Sequence, residues 1–186
     1  ADGVTATVRD AGGEQRIRAQ YLIAADGARS RVRRALGIPM HGVHEIYRSV
    51  NVLLNADLTP WVKDRPAAIY IIQREGLRCT FMTINAVNRW GFLINLPVNA
   101  SFEPYTPERC AEVVRLAAGV PDLAVEILGV DPWIAAAEVA ERYRVGRVFL
   151  AGDAAHLMPP TGGFRLNTGV QDVHNLAWKL GAVLNG

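Results

Sequence analysis

The segment GRVFLAGDAAHLMPPTGGFRLNTGVQDVHNLAWKL, Gly146 to Leu180, constrains the fold more than any other part of the chain. Its apolar run Val148 to Ala151, flanked by glycines, reads as a buried strand, and Asp153 stands two residues past its end. The loop from His156 to Asn167 is stiffened by Pro159-Pro160 and opened by Gly162-Gly163, where backbone can approach a flat ligand closely. Asn167 or Thr168 is expected to cap the helix that follows, with Val170, Val173, Ala177, Leu180 and Leu184 on its buried face. A carboxylate at a strand's carboxyl end beside a helix N-terminus is the arrangement at which open α/β sheets bind ligands. The carboxylate suits the hydroxyls of a sugar or sugar alcohol. The helix N-terminus favours negative charge by ~0.3–1 kcal/mol at an exposed site.

A second strand-to-helix passage lies near the start. Val4 to Val8 alternates as a strand, turns at Asp10 and the two glycines after it, and is expected to return as one strand from Arg16 to Ala25. The last part of that return, YLIAA, is apolar throughout, as for a strand covered on both faces, and runs into Asp26-Gly27. Ser30 then caps a short helix with Val32, Ala35 and Leu36 on one face, ended by Gly37 with Pro39 beyond.

Between these ends the period changes. IYRSVNVLLNA, AAIYIIQ, LRCTFMTIN and RWGFLINL read as strands separated by the turns REG and NAVN, a mostly antiparallel sheet. TPERCAEVVRLAAG reads as a helix with Thr106 as N-cap, Pro107 at its first position and Gly119 past its end. Residues 122–144 fit strands better than a helix. The expected organisation is α/β (α+β): residues 1–40 and 145–186 form one layer, 41–100 an inserted sheet, and 101–144 a helix with connecting strands.

Composition narrows the function classes. A net charge of +2 without a basic stripe excludes nothing except a nucleic-acid or membrane role built on charge. The two cysteines, Cys79 and Cys110, are too far apart for a redox pair or a zinc site, so no metal is expected and a reducing, cytoplasmic setting fits. No run of ~20 apolar residues suggests a membrane span, and the first residues lack the pattern of a secretory signal. The chain opens in strand periodicity without a Met and stops within a helical pattern, so it is expected to be an internal segment of a longer protein.

The segment Gly146–Leu180 closely resembles the GD motif of the class A flavoprotein aromatic monooxygenases, relatives of p-hydroxybenzoate and phenol hydroxylases. YLIAADGARSRVRRALGI is similar to that family's DG motif, DGxxSxxR, in Asp26, Gly27, Ser30 and Arg33. The resemblance implies part of an FAD/NAD(P)-binding fold. Gly152-Asp153 would hold the ribityl chain of FAD, Pro160, Gly162 and Gly163 would line the isoalloxazine, and the backbone at Leu166 and Asn167 would face its N1 and O2 side. Asp26 and Arg33 would lie toward the FAD pyrophosphate and the path of NAD(P)H. The implied reaction is hydroxylation of a small aromatic, phenolic or polyketide substrate by O2 through a flavin C4a-hydroperoxide. The implied cofactors are FAD and NAD(P)H, with no residue singled out as catalytic.

Two departures from the pattern stand out. The family's GxGxxG unit, which holds the ADP half of FAD, is not in these residues, so the isolated segment is expected to bind FAD weakly or not at all, and open sheet edges are expected to make it self-associate or lean on a partner. And the pattern GGxGxN reads Gly162-Gly163-Phe164-Arg165-Leu166-Asn167, with arginine in place of a glycine. Altered flavin chemistry, a tolerated change and a damaged site are all open at this point. Other flavoenzymes of this fold are alternatives, such as a reductase or a halogenase, although the halogenase signature WxWxIP is absent; so is a flavin-less binding or structural remnant. His156 reads as a structural loop residue. Arg29, Arg31 and Arg34 read as a solvated helix face, with Arg33 set apart by the motif.

Overall fold

The structure is a computed structural model that describes residues 2–85 and 87–186; Ala86, in the expected NAVN turn, lies outside the described residues. In chain order the elements are β1 (Val4–Asp10), β2 (Gly13–Ala19), β3 (Leu22–Ala24), α1 (Arg31–Ala35), β4 (Met40–Asn55), α2 (Thr59–Val62), β5 (Ile69–Arg74), β6 (Leu77–Thr83) and β7 (Arg89–Leu96). They continue as α3 (Pro107–Ala118), β8 (Glu126–Ala140), β9 (Arg144–Val145), β10 (Val148–Leu150), β11 (His156–Leu157) and α4 (Phe164–Asn185). The fold is the mixed α/β arrangement with a mostly antiparallel sheet that the sequence pattern predicts. The chain divides into two compact units, Ala1–His44 with Ala136–Gly186, and Glu45–Ala135.

In the unit Glu45–Ala135, strands β8, β4, β7, β6 and β5 are hydrogen-bonded neighbours in that order. The register pairs Val52 with Phe92 and Phe92 with Phe81. Because side chains alternate across a strand, Val50, Val52 and Leu54, Cys79 and Phe81, and Trp90, Phe92 and Ile94 all reach one face. Helix α3 covers that face with Cys110, Val113, Val114 and Ala117. Its ends follow the sequence signals: Thr106 Oγ1 accepts the Arg109 N–H, and Gly119 takes a left-handed φ of 71°. Burial pushes the Cys79 thiol up to about 11, so it behaves as a small apolar group. The short α2 had no periodic signal; Asp57 Oδ1 accepts the Thr59 N–H at its start and Pro60 occupies its first turn.

The unit made from the two chain ends departs from expectation at one place. The return from the first turn is not one strand. β2 pairs with β1 as an exposed hairpin, whereas β3 pairs in parallel with β10, Leu22 opposite Val148 and Ala24 opposite Leu150. Gln20 and Tyr21 separate the two, and Ile23, expected to be covered on both faces, is 47% exposed. The expected strand Arg16 to Ala25 was long enough to be single, but its two halves satisfy their hydrogen bonds in different sheets. A small core of Ala24, Ile38, Ala140, Leu150 and Ala155, flanked by Val32, Leu36 and Met40, closes this unit. No helix among the described residues is long and apolar enough to cross a membrane.

Phe92 is fully buried, with its ring centroid 4.4 Å from that of Phe81. Phe92→Ala should therefore lower the unfolding free energy by about 3–5 kcal/mol, read as a shifted midpoint in urea unfolding. A change under about 1 kcal/mol would mean that this face is not a packed core.

Candidate functional site

Parallel pairing of β3 with β10 brings the two Asp-bearing loops side by side, since both leave the sheet at the strands' carboxyl ends. The Ala151 N–H donates to the Ala24 carbonyl at 3.0 Å, extending the pairing to the edge of each loop. A cavity of about 620 Å³ opens there, lined by Ala25 and Gly27 from the first loop, Ala151, Gly152 and Asp153 from the second, Pro160, and Gly163, Arg165, Leu166, Gly169, Val170 and Val173 at the start of α4.

The loop before α4 owes its shape to glycine. Gly162 and Gly163 take φ of 75° and 68°, a left-handed conformation that other residues adopt only with strain. They turn the chain so that α4 starts at Phe164, with Gly163 itself as N-cap. Asn167 and Thr168 therefore do not cap this helix. The Asn167 amide donates to the Gly163 carbonyl at 2.7 Å, and the Thr168 hydroxyl lies 3.9 Å from Met158 Sδ. No acidic residue occupies the first turn, whose N–H groups have no partner within the helix. The helix also lacks the buried face its pattern predicts. Val170, Val173 and Leu184 are exposed, and nothing among the described residues covers the stripe.

Asp26 does not line the cavity. Its carboxylate accepts the Ser30 hydroxyl at 2.5 Å and the N–H groups of Arg31 and Val32 at 2.7 and 3.1 Å, holding the start of α1. Ser30 Oγ in turn accepts the Arg33 N–H. Desolvation works against the charged carboxylate, but these hydrogen bonds together outweigh it and keep the carboxyl below its ordinary range. Arg33 is buried, 7% exposed, and its guanidinium donates to the carbonyls of Ala154 (2.9 Å) and Ala28 (3.0 Å). A group expected near a phosphate thus ties the first Asp loop to the second.

Asp153 faces Arg165. The guanidinium Nε donates to Asp153 Oδ1 at 2.9 Å and a terminal nitrogen donates to Oδ2, a two-pronged ion pair at the cavity wall. The hydrogen bond from Asp153, ahead of an opposing desolvation effect, raises the pKa of the Arg165 guanidinium further. Arg165, which stands where the family pattern has glycine, lines the cavity. Of the sequence-predicted residues, Gly152, Asp153, Pro160, Gly163 and Leu166 share the cavity; Gly162 and Asn167 shape its loop, and Asp26 and Arg33 sit behind it.

Matches along the whole of this chain support a shared ancestry as well as a shared geometry. The FAD binding domain family matches residues 1–186. The chain belongs to that family. Its relatives include Tetracenomycin A2 monooxygenase-dioxygenase of Streptomyces glaucescens, 47% identical over 197 residues, covering 99% of this chain and 35% of the relative. Aklavinone 12-hydroxylase of Streptomyces peucetius is 42% identical over 189 residues, covering 100% of this chain and 39% of the relative. A crystal structure of aklavinone-11 hydroxylase in ternary complex with FAD and aklavinone superposes with a TM-score of 0.89 at 38% identity, over 99% of this chain and 35% of that one. The chain thus spans about a third of the length of these relatives, and the class A monooxygenase resemblance holds.

A second cavity, of about 440 Å³, lies under Trp61 and Tyr70 in the other unit. Two of its polar groups are engaged within the fold: Tyr70 Oη bonds the backbone at Arg65 and Ala67, and Trp90 Nε1 donates to Ala56. Among the described residues, no cluster of His, Cys, Asp and Glu could hold a metal.

Sequence reasoning missed Asp172. It lies on α4, on the helix face of Thr168 and Gly169, and its Oδ2 accepts the Gly152 N–H at 2.9 Å and lies 2.6 Å from His156 Nε2. It is the one acidic residue of α4, and that was the available signal.

Two predictions follow from this geometry. Arg33→Met removes two charge-assisted hydrogen bonds and should cost about 3 kcal/mol of stability. Arg33→Lys should recover less than half of it, because an ammonium cannot span two carbonyls as a planar fork does; urea unfolding of the three proteins decides. Asp26 has a folded-state pKa below its unfolded value, so its contribution is complete above the unfolded pKa and lost as pH falls through the folded one. Asp26→Asn should accordingly flatten the acid limb of stability against pH, and an unchanged limb would show that the cap contributes nothing.

Proposed function

We propose that this chain supplies the flavin-half site of an FAD- and NAD(P)H-dependent monooxygenase that hydroxylates an aromatic substrate, phenolic or polyketide, with O2. The carrying observation is the cavity itself: two parallel strands deliver their loops, a carboxylate and a helix N-terminus to one apolar space of the size that holds a cofactor ring. Glycines at Gly27, Gly152, Gly163 and Gly169 leave its rim free of side chains, as a flat ring approached by backbone requires. The residues fit the flavin half of FAD. The names of the relatives, a tetracenomycin monooxygenase-dioxygenase and two aklavinone hydroxylases, support the substrate class.

Bound FAD would supply two-electron chemistry with NAD(P)H and activation of O2. The chain's own residues do the rest. Asp153 accepts hydroxyl donors of the ribityl chain. Gly152, Pro160, Gly162, Gly163, Leu166 and Asn167 form the wall and loop along the ring. The free N–H groups of the first turn of α4 would stabilise negative charge on a bound ring. Asp26 and Arg33 hold the facing loop and orient it toward the diphosphate end.

The Arg165 ion pair sets a cost on this arrangement. Its guanidinium occupies both oxygens of Asp153, so a ribityl hydroxyl has to share or replace it. Titration of the full-length protein with FAD, followed by flavin fluorescence, tests the reading. Asp153→Ala should weaken binding about 10-fold or more, and Arg165→Gly should tighten it. Unchanged affinity in Asp153→Ala would overturn the assignment of this cavity to the flavin.

A further inference from the structure

Four consecutive residues of the second Asp loop behave differently. Ala154, Ala155 and His156 are buried, at 0%, 0% and 4% exposure, while Asp153 alone reaches the cavity. Gly152–Ala154 forms a 3₁₀ turn, closed by the Ala155 N–H to the Gly152 carbonyl at 2.8 Å. A turn this short has few bonds of its own with which to fix the direction of one side chain.

Helix α4 supplies what the turn lacks. Gly169 comes so close that a Cβ there would stand 3.4 Å from Gly152 Cα. Three residues on, and so on the same face of the helix, Asp172 meets the loop on both sides of Asp153. Its Oδ2 takes the N–H of Gly152, the residue before, and faces the ring of His156, three residues after. Among the described residues His156 Nδ1 is buried without a partner, and the polar anchor of the imidazole is Asp172.

We propose that Asp172 is the positioning residue of this site: it brackets the loop and thereby sets where the Asp153 carboxylate stands. The proposal rests on the flavin reading of Asp153 for its functional consequence, and on the loop geometry alone for its structural content. Asp172 touches neither cavity nor cofactor; it acts through the backbone of Gly152 and through His156. An asparagine in its place keeps one acceptor oxygen and so retains part of the effect.

The test is a double-mutant cycle on FAD affinity in the full-length protein, with amide exchange of Gly152 measured alongside. Asp172→Ala should weaken FAD binding about 10-fold or more, Asp172→Asn less, and the Gly152 amide should lose protection in the same order. In an Asp153→Ala background Asp172→Ala should add nothing, because its effect passes through that carboxylate. Independent, additive losses would overturn the proposal, as would unchanged protection of the Gly152 amide. If Asp172→Ala does not fold, Asp172→Asn runs the same cycle. If Asp153→Ala leaves FAD affinity untouched, the flavin reading fails, while the Gly152 protection still decides the positioning role.

Discussion

Three register pairs between Leu22–Ala24 and Val148–Leu150 are the constraint on which the site depends. Parallel strands release their loops at the same edge, and a side-by-side pair therefore delivers Asp26 and Asp153 together without any direct bond between them. An antiparallel pairing of the same segments would send the two loops to opposite ends of the sheet. Arg33 then fixes the distance between the loops. A guanidinium suits this task because it is always charged and carries several donors in one plane, so one side chain satisfies carbonyls from both loops at once.

The carboxylates divide the work. Asp26 and Asp172 are spent on backbone N–H groups, one at the start of α1 and the other at Gly152. Asp153 is the one whose surroundings leave it facing the cavity, and there it meets Arg165. Three residues of the same type thus hold two scaffolding positions and one position at the cavity. The difference lies in which N–H groups the fold brings within reach.

Much of this was legible in the sequence. The inserted sheet, α3 with both its caps, and the Ser30 cap of α1 followed from period and punctuation, which are local properties. The cavity residues Gly152, Asp153, Pro160, Gly163 and Leu166 were legible as a motif. The failures were all non-local. Gln20 and Tyr21 divide a run whose two halves join different sheets, and nothing in YLIAA reveals a partner beyond residue 140. Asn167 looked like a cap because it follows a loop, yet the two left-handed glycines start the helix earlier. Arg33 was singled out by its motif, and its burial could not be read locally, because it depends on a carbonyl at Ala154, 121 residues away. Asp172 carried no motif meaning until its neighbours in space were known.

The discontinuity of the unit that holds the site bears on how it assembles. The β1–β2 hairpin closes over two residues, Ala11 and Gly12, and the sheet between Glu45 and Ala135 is one uninterrupted stretch of chain. Joining β3 to β10, in contrast, requires the chain to close a loop of well over a hundred residues. Loop entropy grows only with the logarithm of length, by about 0.6 kcal/mol per doubling, so the finished structure bears this easily. The rate does not, since non-local and parallel pairings are slow to find. With synthesis running from the N-terminus, Asp26 and Arg33 wait for the whole intervening stretch to emerge before their partners exist. The cavity between the two loops therefore forms only after both strands and everything between them have been made.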